Sequence, residues 1–329
     1  MLLPYYHPTR ICFVDDNQSF LLSIVATLPN DLSALAFHHP EEALEMLNRA
    51  TSPPLSQRIF RSNTSDPDHP LIDVNLTAVE QEINRLDRFE RISVVFVDYA
   101  MPKMTGLEFC ERIQDRHIKR VLLTGVADEK TAVEAFNLGL IDHYLPKASL
   151  DHGHNVASQI TSLQQAYFKY PADLILNSLP LAPPAFMTDR ALVPKIQHLF
   201  KTQRCVEYYL TTSPYGYLML QANGIASQLI VMGQEDLQHQ ITLAETYGAP
   251  RRLVEQLAAG QVMLYLAEHP QDYLGNEQFP WFDVTLNATR VDGDERWFIG
   301  LHTNPAVDVD FEPTTDSYAH FRALERWAP

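Results

Sequence analysis

Residues 94–108 read Val-Val-Phe-Val-Asp-Tyr-Ala-Met-Pro-Lys-Met-Thr-Gly-Leu-Glu, and the reading of the first domain turns on them. Val94–Val97 is fully apolar and short, as a strand buried on both faces is. Asp98 stands at its carboxyl end, Pro102 and Gly106 mark a turn, and a helix begins at Gly106. An acidic side chain directly after a buried strand has to look out of the end of a sheet, where ligands bind in open parallel sheets.

The same alternation extends outward in both directions. Ile11–Val14 is an apolar run followed by Asp15 and Asp16, and Phe20, Leu21, Ile24, Val25 and Leu28 then recur at helical spacing. Leu32–Phe37 reads as a strand, and Pro40 with Glu41 and Glu42 opens a helix through Leu47. Downstream follow the Val121–Leu123 strand, a helix from Asp128 to Leu138, a strand at His143–Leu145 and a closing helix from Asn155 to Phe168. Strands alternating with helices predict an α/β domain, a doubly wound parallel five-stranded sheet covered on both faces.

One stretch breaks the alternation. Residues 51–70 carry Pro53, Pro54, Pro67 and Pro70 among Ser, Asn, Thr and Asp, the composition of an exposed loop. Ile72, Leu76, Val79, Ile83 and Leu86 then step like one stripe of a helix, expected to pack against the first domain. The expected organisation is a first domain over 8–169 with an inserted loop and helix at 50–90, a Pro-rich linker at 170–204, a mixed α+β domain at 205–310 and a tail at 311–329.

A chain of 329 residues favours two cores. The formal charge of −16 argues against a long contact with a phosphate backbone, which needs concentrated Lys and Arg. No apolar run approaches the roughly 20 residues of a membrane-spanning helix, and Met1–Arg10 lacks the layout of a secretory signal, so the expectation is a cytoplasmic protein without membrane insertion. Cys12, Cys110 and Cys205 lie far apart without a CxxC pair, which fits reduced thiols.

Asp15, Asp16 and Asp98 would converge at the carboxyl ends of two strands, and crowded carboxylates suit a hard divalent cation such as Mg²⁺. The stretch from Val94 to Glu108, with Asp followed by Met-Pro and then Gly-Leu, resembles the phosphorylation region of two-component response-regulator receivers. Thr124 after its apolar strand is similar to the switch hydroxyl of that family, and Tyr144 followed by Lys147 to its switch aromatic and phosphate-binding lysine. The resemblance implies a flavodoxin-like receiver that accepts a phosphoryl group on Asp98 from a sensor histidine kinase or phosphotransfer protein. It further implies Mg²⁺ held by Asp16, Asp98 and the Ala100 carbonyl, with Asp15 contributing through water. Thr124, Tyr144 and Lys147 would read the phosphoryl group. The face formed by the helix from Asp128, the strand at Tyr144 and the helix from Asn155 would change its partner, and it is the candidate surface for a homodimer. Two departures stand out: Pro146 precedes Lys147 where the family places a proline after it, and Ala100 and Val126 cannot orient a water.

In the second half, Ser213–Gly224 resembles the opening of a PAS domain, with a hairpin turning at Asn223-Gly224. Two helices at 234–247 and 250–259 and strands at Val262–Leu266, Trp281–Val291 and Arg296–Thr303 follow. Phosphate-binding, hydrolase-elbow and zinc-protease motifs are missing, so a non-enzymatic output that senses or binds a protein or small molecule is expected. The alternative is a phosphorylation-controlled DNA-binding transcription regulator. Glu42-Ala43-Leu44, His38-His39 and His152-Gly153-His154 are read as chance matches and loop histidines rather than metal sites.

Overall fold

The computed structural model describes residues 1–49, 55–63, 71–74, 76–125, 129–151, 153–177, 184–265, 279–303, 305 and 311–327. The chain divides into two compact units. One comprises His7–Pro54, Leu86–Leu174 and Phe321–Pro329; the other comprises Met1–Tyr6, Leu55–Arg85 and Ile175–His320.

The first unit holds a five-stranded sheet ordered Ser33–Phe37, Arg10–Val14, Ile92–Asp98, Lys119–Thr124, His143–Pro146, with every pair parallel. Val94, Val95, Phe96 and Val97 are all buried, as a strand covered on both faces requires. Ile11, Phe13, Val94, Phe96, Val121 and Leu123 form one core face, onto which Leu21 and Ile24 of the Gln18–Thr27 helix pack together with Leu150, Ile160 and Leu163. Asn17 caps that helix by accepting from the Phe20 amide, and Thr105 and Glu108 form a reciprocal capping box on the Gly106–Arg112 helix.

Several boundaries differ from the sequence reading. The closing helix runs Gly153–Asn177 straight through Pro171, which is buried within it. A proline forfeits one backbone donor, but packing of a long helix outweighs that local loss. The expected linker therefore begins with helix, and it also contains the Leu192–Thr202 helix, whose Pro194 sits in the first turn where no intrahelical donor is needed. The last helix, Tyr318–Trp327, is not a loose tail. Its Glu325 accepts from Arg10 Nε at 2.8 Å and from Ser33 Oγ at 2.7 Å, at the starts of two strands of the parallel sheet.

The second unit is built on a seven-stranded antiparallel sheet ordered Tyr5–Tyr6, Cys205–Thr212, Tyr215–Gln221, Ala226–Gly233, Arg296–Thr303, Thr285–Asp292, Val262–Leu264. The mixed α+β class is as expected, with the hairpin at Asn223-Gly224, the helices Gln234–Thr246 and Arg251–Ala258, and the Asp292–Arg296 connection in place. Gly224 has φ 80°, which a side chain would oppose. The hairpin that suggested a PAS-like opening does not begin the sheet, because Cys205–Thr212 precedes it and the chain's own Tyr5–Tyr6 pairs beyond that.

The stripe from Ile72 to Leu86 is the clearest correction. Leu71–Val74 is a strand paired with Phe60–Asn63, and only Thr77–Glu80 is α-helical, continued by a 3-10 turn at Gln81–Asn84. Val79 and Ile83 are buried, but Leu86 is 67% exposed. The helix lies against Cys205–Thr212 of the second unit, with Glu80 Oε1 accepting from the Thr212 amide at 2.9 Å. Apolar spacing announces that a face will be buried and says nothing about which partner buries it. Among the described residues no helix is long and apolar enough to cross a membrane.

Candidate functional site

The carboxyl end of the parallel sheet brings the predicted acids together. Asp15 follows the Arg10–Val14 strand and Asp98 ends the Ile92–Asp98 strand, and the register pairing Val14 with Val97 sets them side by side. One carboxylate oxygen from each of Asp15, Asp16 and Asp98 lies within 4.8 Å of the others. Asp15 and Asp98 are buried and Asp16 is exposed. This is the one group of three or more such ligand types found among the described residues. The rings of His38 and His39 lie 3.9 Å apart, tilted by 45° to one another; His152 lies outside the described residues.

Lys147 enters from the end of the last strand. Its Nζ is 2.7 Å from Asp15 Oδ2 and 2.9 Å from Asp98 Oδ1, so one ammonium bridges both buried acids. It does so with Pro146 ahead of it and Ala148 behind, at the start of a 3-10 turn, Lys147–Asp151. Burial pushes the Asp98 carboxyl above its ordinary range, and Asp15 pushes the same way while Lys147 opposes. Burial works against the Lys147 charge, but hydrogen bonds to Asp15 and Asp98 outweigh it and raise the ammonium. Two carboxylate charges 4.8 Å apart, the outer limit of the spacing among the three acids, repel by about 3–4 kcal/mol at an effective dielectric of 20. Three carboxylates facing one ammonium leave negative charge uncompensated, and an oxygen-only donor set is what a small hard cation takes. The acids therefore fit Mg²⁺.

Local backbone explains why these side chains hold their places. The Asn17 amide donates to Asp15 Oδ1 at 2.9 Å, and the Tyr99 amide donates to the Leu123 carbonyl at 3.0 Å, continuing the strand pairing past Asp98. The turn after Asp98 folds back so that the Gly106 amide donates to the Tyr99 carbonyl at 2.9 Å. A Cβ at Gly106 would lie 2.4 Å from the Asp98 carbonyl oxygen, so the Gly of the Asp-to-Gly stretch is a close-approach residue. Thr124 is buried at the end of the Lys119–Thr124 strand, in register with Pro146; Tyr144 is half-buried in the His143–Pro146 strand. Ala100 is exposed, and Val126 lies outside the described residues.

Sequence reading missed one contact here. Phe20, read only as an apolar position of the first helix, places its ring 5.2 Å from Lys147 Nζ. Nothing local in the sequence announces that pairing.

A five-stranded parallel sheet presenting acids and a lysine at its carboxyl edge, in a chain that carries a second α+β unit, is the layout of the response-regulator class. A family model described as the response regulator receiver domain matches residues 54–155. That match starts inside the interpolated segment and leaves out the Arg10–Val14 strand and the Asp15 that follows it. Among solved structures, the response regulator LqsR of Legionella pneumophila is 32% identical, covers 99% of this chain and 96% of its own, and superposes with a TM-score of 0.78. The receiver domain of Francisella response regulator 1452 is 14% identical over 48% of this chain and 97% of its own, with a TM-score of 0.32. A receiver domain protein of Methanospirillum hungatei is 17% identical over 50% of this chain and 98% of its own, with a TM-score of 0.32. A search of curated proteins returns no match. The chain belongs to the two-component response-regulator family.

Proposed function

We propose that Asp98 accepts a phosphoryl group from a sensor histidine kinase or phosphotransfer protein and that this switches a non-enzymatic output in the second unit. The observation that carries this reading is the Lys147 ammonium spanning Asp15 and Asp98 at the end of the parallel sheet. A carboxylate becomes a nucleophile toward phosphorus when nearby cations screen its repulsion for the incoming phosphoryl oxygens. Asp98 Oδ supplies the attacking lone pair, the bond from phosphorus to the donor's leaving group breaks, and an aspartyl phosphate forms. Lys147 keeps a positive charge beside the nucleophile throughout, since its pairing raises its basicity. Thr124, buried at the neighbouring strand end, would donate to a phosphoryl oxygen, and Tyr144 would follow inward. Asp16, Asp98 and the Ala100 carbonyl, with Asp15 through water, would hold Mg²⁺. When bound, that ion supplies charge neutralisation for the transferring group.

The second unit supports a binding output. It carries acidic residues such as Glu235, Asp236, Glu245, Asp292, Asp294 and Glu295, and the salt-sensitive retention on heparin that a DNA-binding regulator would show is not expected of it.

The test is covalent. Full-length protein with Mg²⁺ and acetyl phosphate should gain one acid- and base-labile phosphoryl group by intact mass, and Asp98→Asn should gain none. Full labelling of Asp98→Asn would remove Asp98 from this role.

A further inference from the structure

Lys147 faces a problem that its neighbours in sequence do not solve. A lysine side chain has several rotatable bonds, and holding its ammonium on two carboxylates sacrifices rotamer freedom. Its side chain is 32% exposed, so solvent competes for the charge. The residue after it is Ala148, which places no restraint of its own on the backbone. Something else has to aim it.

The geometry points to Phe20 as the positioning residue for Lys147, an inference that rests on the phosphoacceptor reading above. Lys147 Nζ lies 5.2 Å from the centre of the Phe20 ring, within the roughly 6 Å reach of a cation–π interaction. The ring is seated on the domain core. Phe20 packs, partly buried, against the core of Leu21, Ile24, Leu150 and Ile160, and its own amide is tied to the capping Asn17 side chain at 3.2 Å. Leu150, in the same 3-10 turn as Lys147, is 1% exposed in that core, so the turn and the ring are seated on one apolar layer. The lysine is thus held at three places: its turn by Leu150, its ammonium by the two acids and by an aromatic face on the first helix. An aliphatic residue would preserve the layer and lose the attraction, because only an aromatic ring presents a negative face to the charge.

The experiment uses the full chain at saturating Mg²⁺ and measures the rate of acetyl phosphate labelling at Asp98. Phe20→Leu should label roughly 2- to 10-fold more slowly, and Phe20→Tyr should keep the parent rate. In a Lys147→Ala background, Phe20→Leu should add no further slowing. Equal slowing in both backgrounds, or a Tyr variant as slow as the Leu variant, would overturn the inference. A second measurement needs no phosphoryl chemistry. The Lys147 side-chain methylene protons should be shifted upfield by the ring in the parent and in Phe20→Tyr, and should relax toward ordinary values in Phe20→Leu. Unchanged shifts would sink the positioning role. A parent that shows the shift but never labels would uphold the positioning role and overturn the phosphoacceptor reading instead.

Discussion

Asp98 in the parallel sheet and Asp189 in the antiparallel unit are both buried, yet the chain surrounds them in opposite ways. Asp189 is saturated with neutral donors. Its Oδ1 accepts from the amides of Ala191 at 2.8 Å and Leu192 at 2.9 Å, and its Oδ2 accepts from the Asp294 amide and the Trp297 indole, each at 2.8 Å. Asp98 meets two more carboxylates and a single ammonium, with one backbone hydrogen bond at Ala100. Burial acts to raise both groups. At Asp189 the Trp297, Leu192, Ala191 and Asp294 hydrogen bonds overcome burial and hold the carboxyl below its ordinary range, whereas at Asp98 burial and Asp15 prevail. Each acid also has a glycine pressed on it, since a Cβ at Gly293 would fall 2.3 Å from Asp189 Oδ1. A buried carboxylate with all its lone pairs occupied pins a loop to a helix start. One left crowded by like charge carries a negative charge that a cation would offset.

The sharpest way to break that contrast is to delete each charge. Asp189→Ala strands three amides and an indole, and should cost about 3–5 kcal/mol of stability, read as a fall in the denaturant midpoint. Asp98→Asn in metal-free buffer should cost nothing or stabilise slightly, because it relieves a crowded charge. Comparable losses in the two variants would erase the distinction.

Acid titration sharpens it further. Because the folded value of Asp189 is depressed, its contribution is fully present above the unfolded value of about 3.9 and is lost as pH falls through the folded value. Asp98 has the opposite sign: its folded value is raised, so its protonation as pH falls favours the folded state. Urea midpoints followed downward from pH 6 should therefore drop more steeply below pH about 4 in the parent than in Asp189→Asn. Parallel curves would show that Asp189 is not the titrating anchor.

The smallest expected effect concerns how long the Asp98 site stays modified. Hydrolysis of an aspartyl phosphate needs a water held in line behind phosphorus, and the methyl side chain of exposed Ala100 offers no hydrogen bond to one. Ala100→Asn should shorten the phosphoform lifetime several-fold, about 1 kcal/mol in barrier. The measurement is decay of the labelled mass after donor removal at saturating Mg²⁺. A parent decaying as fast as the variant would disconnect this position from the switch's duration.

What was legible in the sequence follows from how local the signal is. Val94–Val97, Asp98 and Gly106 announce strand, acid and turn within fifteen residues, and the alternation on either side implies a parallel sheet by itself. Once the sheet is parallel, every strand's carboxyl end lies on one edge, so Asp15, Asp98, Thr124 and Lys147 must gather there whatever the details of packing. Pairing between distant strands carries no such local mark. Nothing in Tyr5–Tyr6 says that it will hydrogen-bond to Tyr208–Tyr209, and nothing in Ala78, Val79 and Ile83 says that residues interpolated between receiver strands belong to the other unit. The same holds for the Phe20 ring near Lys147 and for the distant Asp294 and Trp297 donors to Asp189. Sequence periodicity determines which face of an element must be buried and which chemistry sits at a strand end. Only the tertiary structure decides the partner, because partner choice depends on shape, register and desolvation summed over residues more than a hundred positions apart.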